Sequence, residues 1–368
     1  MGSSFGKVLR VSTFGESHGG AVGCVVDGFP AGFAVDLDAV QAALDRRRPG
    51  QSALSSPRRE EDRLQVLSGM EGELTLGTPI AMLVWNQDAR PEAYEHIRRL
   101  YRPSHADYTY QEKYGIQASS GGGRASARET VARVAAGALA QQLLGRELGV
   151  EIVAWVEQVG ERAVPDGALS EERLSRADVD ADEVRCPHPE TAEAIASMIA
   201  SVRDAGDSLG GAIRCVVRGL PAGLGEPVFD KLEACLAHAC LSIPAVKGFE
   251  VGSGFSGITL RGSQHNDAFV PAEGGGIRTR TNHAGGLLGG ISNGEHLRMR
   301  LAFKPTSTVF VEQDTVTREG APIRTSLSGR HDPCVLPRAV PVVEAMVALV
   351  LADAWLLQRS RRQETQRS

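Results

Sequence analysis

Cys24-Val25-Val26-Asp27-Gly28-Phe29-Pro30-Ala31-Gly32, near the start of the chain, has a counterpart far downstream in Cys215-Val216-Val217-Arg218-Gly219-Leu220-Pro221-Ala222-Gly223. Each is a β-branched run that ends in a Gly-x-Pro turn, and each leads into a segment of helical period. One strand–turn–helix unit present twice points to two pseudo-equivalent halves. No Pro/Ser-rich linker separates them, so residues 1–368 are expected to form a single domain around one shared core.

Around this pair the elements follow from period and punctuation. Strands are predicted at 21–26, 80–85, 152–159 and 213–217, where β-branched runs are bounded by glycine or proline. Helices are predicted at 38–48, 191–204, 228–241 and 342–357. The first of these stops at Pro49, because a residue preceding proline is pushed out of the helical region. A further helix is signposted at Ser126: Ser126 and Glu129 have the spacing of a capping box, and Val131, Ala135, Ala138, Leu139 and Leu143 follow at helical spacing. The tail 359–368 is polar and expected to fray.

Composition narrows the class. The 368 residues are 42% hydrophobic and 23% charged, the balance of a globular protein rather than a disordered one. With a formal net charge of −5 and a pI near 6.0, the whole-protein field does not attract nucleic acid, so any anionic partner must be met by a local basic cluster. The six cysteines are scattered without a CxxC pair; Cys235 and Cys240 flank His238 on an apolar helix and read as packing. No metal is expected, and the thiols suit a reducing cytoplasm. The first ten residues do not read as a secretory segment. The apolar run 340–357 is broken by Pro341, Glu344 and Asp353 and reads as a buried helix, not a membrane span.

Four features carry chemistry. The loop Gly121-Gly122-Gly123-Arg124-Ala125-Ser126 lets backbone approach a ligand closely and opens a helix whose free N–H groups favour an anion; Arg124 adds a donor fork that Arg128 can reinforce. The bland alternative is a flexible turn with a solvated arginine. Basic runs at Arg46-Arg47-Arg48, Arg58-Arg59 and Arg98-Arg99 with Arg102 suit bidentate recognition of phosphate and carboxylate, although most members of such runs are solvated. His18, His105 and His331 each sit in a polar turn beside Gly, Pro or Asp, where a histidine can meet a ligand and act as a general acid. Glycine-rich 282–290 and Lys304-Pro305-Thr306-Ser307-Thr308 could bind phosphate or simply join strands. Two motifs are set aside. Gly252-Ser253-Gly254-Phe255-Ser256-Gly257 has the GxGxxG spelling, but 258–261 reads as a strand and the dinucleotide mechanism needs a helix there. No GxxxxGK[ST] occurs.

FGESHGG, RRRPGQS, RPSHADYTY, GGGRASARE, PAGLGEPVFD, AVKGFE, RGSQHND, NHAGGLLGGISNGE, KPTST and GRHDPCV occur here in one order, and in that order they resemble the chorismate synthase family. The resemblance implies an α+β fold, a β-α-β sandwich with central helices between two antiparallel sheets in pseudo-two-fold halves, assembled as a homotetramer. It implies a trans-1,4 elimination converting 5-enolpyruvylshikimate 3-phosphate to chorismate and phosphate, the last common step of the shikimate pathway, with reduced FMN (FMNH2) as an obligatory cofactor. By the same resemblance His18 is the general acid near the leaving phosphate, His105 protonates the reduced flavin, and Asp332 assists proton removal at the flavin N5. Ser17 and Ser126 supply hydroxyls beside flavin and substrate. Cofactor contacts carry over to Arg124, Ala125, Ser126, Pro244, Ala245, Gly289, Lys304, Pro305, Thr306, Ser307, Thr308 and Arg330. Substrate contacts carry over to Arg47, Arg48, His18 and Arg128.

The match has departures. Ala53 stands where many members carry a basic residue, Ala125 where a serine is common, and Pro244 where some have asparagine. Two alternatives stay open at this level. One is a non-catalytic flavin- or phosphate-binding homologue. The other, a nucleic-acid binder, is opposed by the acidic net charge and by basic runs without interleaved aromatics. No nucleic acid and no membrane are expected as partners.

Overall fold

The structure, a computed structural model, describes residues 2–52, 54–56, 58, 60–88, 99–116, 122–272, 274–327, 329 and 331–361. Ala53, Arg59, Arg98, Gly121, Arg330 and the tail 362–368, all singled out above, lie outside the described residues.

Two five-stranded antiparallel sheets flank a layer of helices. The first sheet holds β1 (Ser4–Phe5), β2 (Arg10–Gly15), β3 (Ala21–Asp27), β4 (Gln65–Ser68) and β5 (Ile80–Trp85), in the order β1-β2-β3-β5-β4. The second holds β6 (Glu151–Val159), β7 (Arg162–Ala163), β8 (Gly211–Arg218), β9 (Val246–Val251) and β10 (Leu297–Phe303), in the order β9-β10-β8-β6-β7. Read from opposite ends, the two orders coincide except at one edge, where the short strand precedes its neighbour in the first sheet (β1 before β2) and follows it in the second (β7 after β6). The central strands are β3 and β8, which carry the repeated sequence, with β2 and β6 on one side and β5 and β10 on the other. Their period-2 pattern turns Val22, Cys24 and Val26, and equally Ile213, Cys215 and Val217, onto the helices, where all are fully buried.

The repeat extends to hydrogen bonds that the sequence does not announce. Thr75 Oγ1 donates to Pro30 O at 2.6 Å and accepts from Phe33 N–H at 3.0 Å. Ser292 Oγ donates to Pro221 O at 2.6 Å and accepts from Leu224 N–H at 2.9 Å. Both hydroxyls are buried, and each satisfies the backbone of one Gly-x-Pro turn. The turn glycines adopt φ +79° at Gly28 and +74° at Gly219; a Cβ on Gly28 would lie 1.9 Å from Val8 O.

The helices are α1 (Leu37–Arg47), α2 (Asp107–Tyr114), α3 (Thr130–Leu148), α4 (Pro189–Asp204), α5 (Leu232–Leu241) and α6 (Leu336–Arg361), with shorter turns between. In the two halves α1 follows β3 and α5 follows β8. The long helices α3 and α6 pack against each other and fill the space between the sheets in one continuous core. Their closest approach needs Gly137, whose Cβ would stand 2.3 Å from Ala345 Cβ and 2.5 Å from Ala345 Cα. Glu344 of α6 is fully buried and accepts from Arg46 Nη1 at 2.5 Å and from Ala154 N–H at 3.2 Å, tying α1 and β6 to the central layer. By length and composition α6 could cross a membrane, but 78% of its apolar window is buried inside the fold.

Several expectations are corrected. The helix expected at 342–357 begins six residues earlier and contains Pro341; the Pro337 carbonyl that Pro341 cannot bond is taken by Arg185 Nη1. The helix expected from 228 begins at Leu232, because Val228 holds a positive φ of 65° that no helix accommodates. Residues 258–261 do not form a strand: Gly254–Thr259 is a 3₁₀ helix. The capping box at Ser126 does not form. Two 3₁₀ turns, Gly123–Ala125 and Ala127–Glu129, precede α3, and in that tighter geometry Ser126 Oγ accepts from Arg128 N–H while Glu129 pairs with Arg133 at 2.8 Å. At the C-terminus 359–361 remain helical, and the Arg359 guanidinium lies over the Trp355 ring at 4.9 Å.

Candidate active site

Both central helices begin at the same place. Ala127, Arg128 and Thr130 at the start of α3, and Val335, Arg338 and Ala339 at the start of α6, line one cavity of about 360 Å³. Two helix N-termini therefore turn their positive ends and unpaired N–H groups toward a common space. The other walls are loops from both halves, so the cavity lies where the pseudo-equivalent units meet.

Most of the residues singled out in the sequence arrive here from distant positions. His18 and buried Ser17 come from the β2–β3 loop, with Ser17 Oγ 3.0 Å from His18 Nδ1. Arg47 ends α1. His105 stands just before α2, and Ala125 and Ser126 stand just before α3. Pro244 and Ala245 follow α5, 304–308 follow β10, and Asp332 precedes α6. The 304–308 loop is pinned to its neighbours: Lys304 Nζ and Ser307 Oγ donate to Ser104 O at 3.3 and 3.0 Å, and Thr306 Oγ1 donates to Asp332 O at 3.1 Å. Asp332, buried, accepts from Ser56 N–H at 2.8 Å and pairs with Arg338.

Three residues singled out above take other positions. Arg124 does not line this cavity; its guanidinium donates to Thr13 Oγ1 at 2.6 Å and Gly15 O at 3.1 Å, so the fork expected to meet a ligand holds the loop against β2. It borders instead a hollow of about 1020 Å³ that shares His105, Gly122, Ala125 and Pro244 with the cavity. Arg48 is exposed beyond the end of α1, and Gly289 lies in a hairpin that does not reach the cavity wall.

Among the described residues, Arg47, Arg58, Arg102, Arg128, Lys304 and Arg338 line the cavity against a single carboxylate, Asp332. The sequence reading missed how this excess of cations is held. Asp62, in a buried bend at φ 50°, receives Arg47 Nη2 at 2.6 Å and Arg128 Nη1 on its other oxygen. Glu60 receives Arg58 Nε at 2.9 Å. Asp107 receives Arg102 Nε and Nη2, both at 2.7 Å. These carboxylates stand behind the arginines. Only the RRR, RR and R-x-x-x-x-D spellings could have hinted at them, and such spellings are common on solvated surfaces.

The electrostatics follow from burial. Arg47 is pushed down to about 10 by desolvation, which Asp62 opposes and the Arg338 and Arg128 cations reinforce. Burial alone would raise the Asp62 carboxyl, but Arg47 and Arg128 outweigh it and hold the group below the usual carboxylate range. His331 is pushed down to about 4, by burial first and then by Arg102, so it is neutral at pH 7. Lys304 is pulled below its ordinary value by burial and by Lys247. Among the described residues no carboxylate pairs with Lys304, whose partners are neutral oxygens. A half-buried cation without a counterion, beside two helix N-termini, fits a phosphate or carboxylate. At Gly122 a Cβ would come within 3.3 Å of Ser126 N and 3.4 Å of His105 Nε2, so a side chain there would crowd the space in front of the histidine. Ile243, Pro244, Ala245 and Val342 give the same cavity an apolar wall suited to a flat ring.

Fold and site together define a protein that presents histidines and a wall of cations to a small, multiply anionic ligand. Residues 9–356 match the family model described as chorismate synthase. A chorismate synthase of Synechococcus sp. (strain RCC307) is 58% identical over 367 residues, covering 98% of this chain and 99% of that protein. One of Prochlorococcus marinus (strain MIT 9301) is 56% identical over 362 residues, covering 98% of each. A solved structure titled "Crystal Structure of Chorismate Synthase" superposes with a TM-score of 0.77 at 31% identity, covering 96% of this chain and 93% of that one. The chain belongs to the chorismate synthase family. Its activity is that of a carbon–oxygen lyase, the elimination of phosphate from 5-enolpyruvylshikimate 3-phosphate to give chorismate.

Proposed function

We propose that the cavity at the N-termini of α3 and α6 holds reduced FMN and 5-enolpyruvylshikimate 3-phosphate against one another, with His18, His105 and Asp332 managing the protons. The observation that carries this reading is the convergence of these three residues, with six cationic side chains, on one cavity. When bound, reduced FMN supplies electron density to the substrate as its carbon–oxygen bond to phosphate breaks. The phosphate leaves as an anion, so His18 is placed to donate a proton to it, with Ser17 steadying the ring through Nδ1. Arg47 and Arg128 face the substrate's anionic groups. Their ties to Asp62 hold them in place, so little conformational entropy is lost on binding. Asp332, held by Ser56 and Arg338, would assist proton removal at the cavity wall where the cofactor would sit, and Ser126 would contribute its hydroxyl.

Lys304 to Thr308, Ala125, Pro244 and Ala245 seat the cofactor. Arg124 contributes by shaping its loop. Pro244 offers ring contact without a hydrogen bond, and Ala125 offers backbone only. Arg330, Gly289 and Arg48 belong to the same reading through the family resemblance. The chain is read as one domain, assembled as a homotetramer in the cytoplasm.

The test is anaerobic: photoreduced FMN and 5-enolpyruvylshikimate 3-phosphate are mixed with the protein and chorismate absorbance is followed. No product at saturating reduced flavin overturns the reading. His18→Ala is expected to slow phosphate release by about 10²–10⁴ while FMN still binds by fluorescence titration; normal turnover would remove His18 from the mechanism. An aerobic assay with FMN and NADPH reports whether the protein reduces its own flavin. Sedimentation velocity reports the assembly.

A further inference from the structure

His105 enters the cavity with one ring nitrogen set beside a buried carboxylate, close but off the line of an ideal hydrogen bond. Its Nδ1 lies 2.8 Å from Asp107 Oδ1, at the first residue of α2. The same carboxylate receives Arg102 Nη2 on Oδ1 and Arg102 Nε on Oδ2, both at 2.7 Å, and also Arg102 N–H at 3.3 Å. Arg102 and Asp107 are both buried. The other edge of the ring faces the glycine loop, where Nε2 would lie 3.4 Å from a Cβ on Gly122, between the cavity and the adjoining hollow.

We propose that Asp107 is a positioning residue that locks His105 in the Nδ1–H tautomer, so that Nε2 alone exchanges protons with whatever occupies the cavity. The inference rests on the assignment of His105 to the proton chemistry. An ionised carboxylate only accepts hydrogen bonds, so the nitrogen facing it must carry hydrogen. Asp107 stays ionised. Burial would raise it, but the hydrogen bonds from Arg102 and His105 outweigh burial and hold it well below the usual carboxylate range. A neutral histidine in water favours hydrogen on Nε2, so the protein imposes the opposite choice.

The consequence is a one-way ring. Neutral His105 can only accept through Nε2. Once it has taken a proton there, the imidazolium can deliver it from the same atom, while Nδ1–H stays beside Asp107 Oδ1 throughout. Arg102 makes the arrangement rigid by filling the oxygen sites through which Asp107 could turn away. Gly122 keeps the Nε2 edge open, since any side chain there would press on the ring.

The test needs no cofactor. In cofactor-free protein labelled with ¹⁵N-histidine, multiple-bond ¹H–¹⁵N correlations identify the tautomer of each neutral ring, and the His105 signals are those lost in His105→Gln. The wild type is expected to show a protonated Nδ1 at His105; a protonated Nε2 overturns the proposal without any further variant. In Asp107→Asn the Nδ1–H pattern is expected to be lost and turnover to fall on the order of 10²-fold or more, as for a mis-set general acid–base group. Asp107→Asn that retains both the pattern and the turnover also overturns it. If His105→Gln turns over normally while the wild-type ring is Nδ1–H, the assignment of His105 to the chemistry fails and the positioning geometry stands.

Discussion

Asp62→Asn isolates the contribution of a single buried charge. Asn is nearly the same size as Asp and tolerates the φ of 50° held at this position, so the backbone has no reason to move. What disappears is the negative charge shared by Arg47 and Arg128, whose side chains are 2% and 3% exposed. An amide offers one acceptor oxygen where two guanidinium groups now bind two, and its NH₂ points at one of them. Removing one partner of a buried ion pair costs about 3–5 kcal/mol. Arg128 keeps Asn86 Oδ1 at 2.8 Å and Glu60 at 3.7 Å, which places the expected loss near the lower figure. The sign with pH follows from the depressed Asp62 carboxyl: its stabilisation is present above the unfolded value near 3.8 and is lost as pH falls through the lower folded value. The gap between wild type and Asp62→Asn is therefore full at pH 7, still present at about pH 5, and closes only in stronger acid. Denaturant midpoints and calorimetry across that range measure it. A loss under about 1 kcal/mol at pH 7, or a gap already closed at about pH 5, would refute the argument that this carboxylate holds the cationic wall together.

Two further perturbations test other parts of the fold. Gly137→Ala in α3 would raise stability by about 1 kcal/mol if helix propensity alone decided; the contact with Ala345 predicts instead a loss of about 1–3 kcal/mol, so a raised melting temperature would contradict the packing described. His331, depressed from 6.5 to about 4, stays neutral when folded while the unfolded chain takes up a proton, so the protein loses on the order of 3 kcal/mol as pH falls from 6.5 to 4. His331→Gln should flatten that part of the stability–pH curve, and an unchanged slope would assign the loss to other groups.

The duplicated Cys-Val-Val-x-Gly-x-Pro-Ala-Gly stretch revealed the two-halved architecture because a strand, its turn glycine and its proline are local requirements that composition satisfies directly. Strand 80–85 was read to the residue for the same reason. His18, His105 and the 304–308 loop, legible from their own residue chemistry, and Asp332, legible through the family resemblance, all line the cavity. Element ends were less legible. Pro341 marks a helix break by local rules, yet Arg185 from a distant loop satisfies the orphaned carbonyl and the helix continues. Val228 shows the converse, a residue at the start of an apolar stretch held out of the helix by its backbone.

Residue type and spacing could nominate arginines but not say which would face a ligand, because that depends on where each guanidinium finds its carboxylate. Arg47 and Arg128 meet at Asp62 from segments 15 and 66 residues away in sequence, while Arg124, the most prominent arginine of the glycine loop, is spent on strand carbonyls. By itself, then, the sequence determined the two-fold scaffold and the family and nominated side chains that line the cavity, since those rest on local geometry and residue chemistry. Only the tertiary structure decided which cations form the wall of the cavity and which nitrogen of His105 faces it. Those outcomes belong to long-range pairings, in which a charge takes the position that best offsets its loss of water.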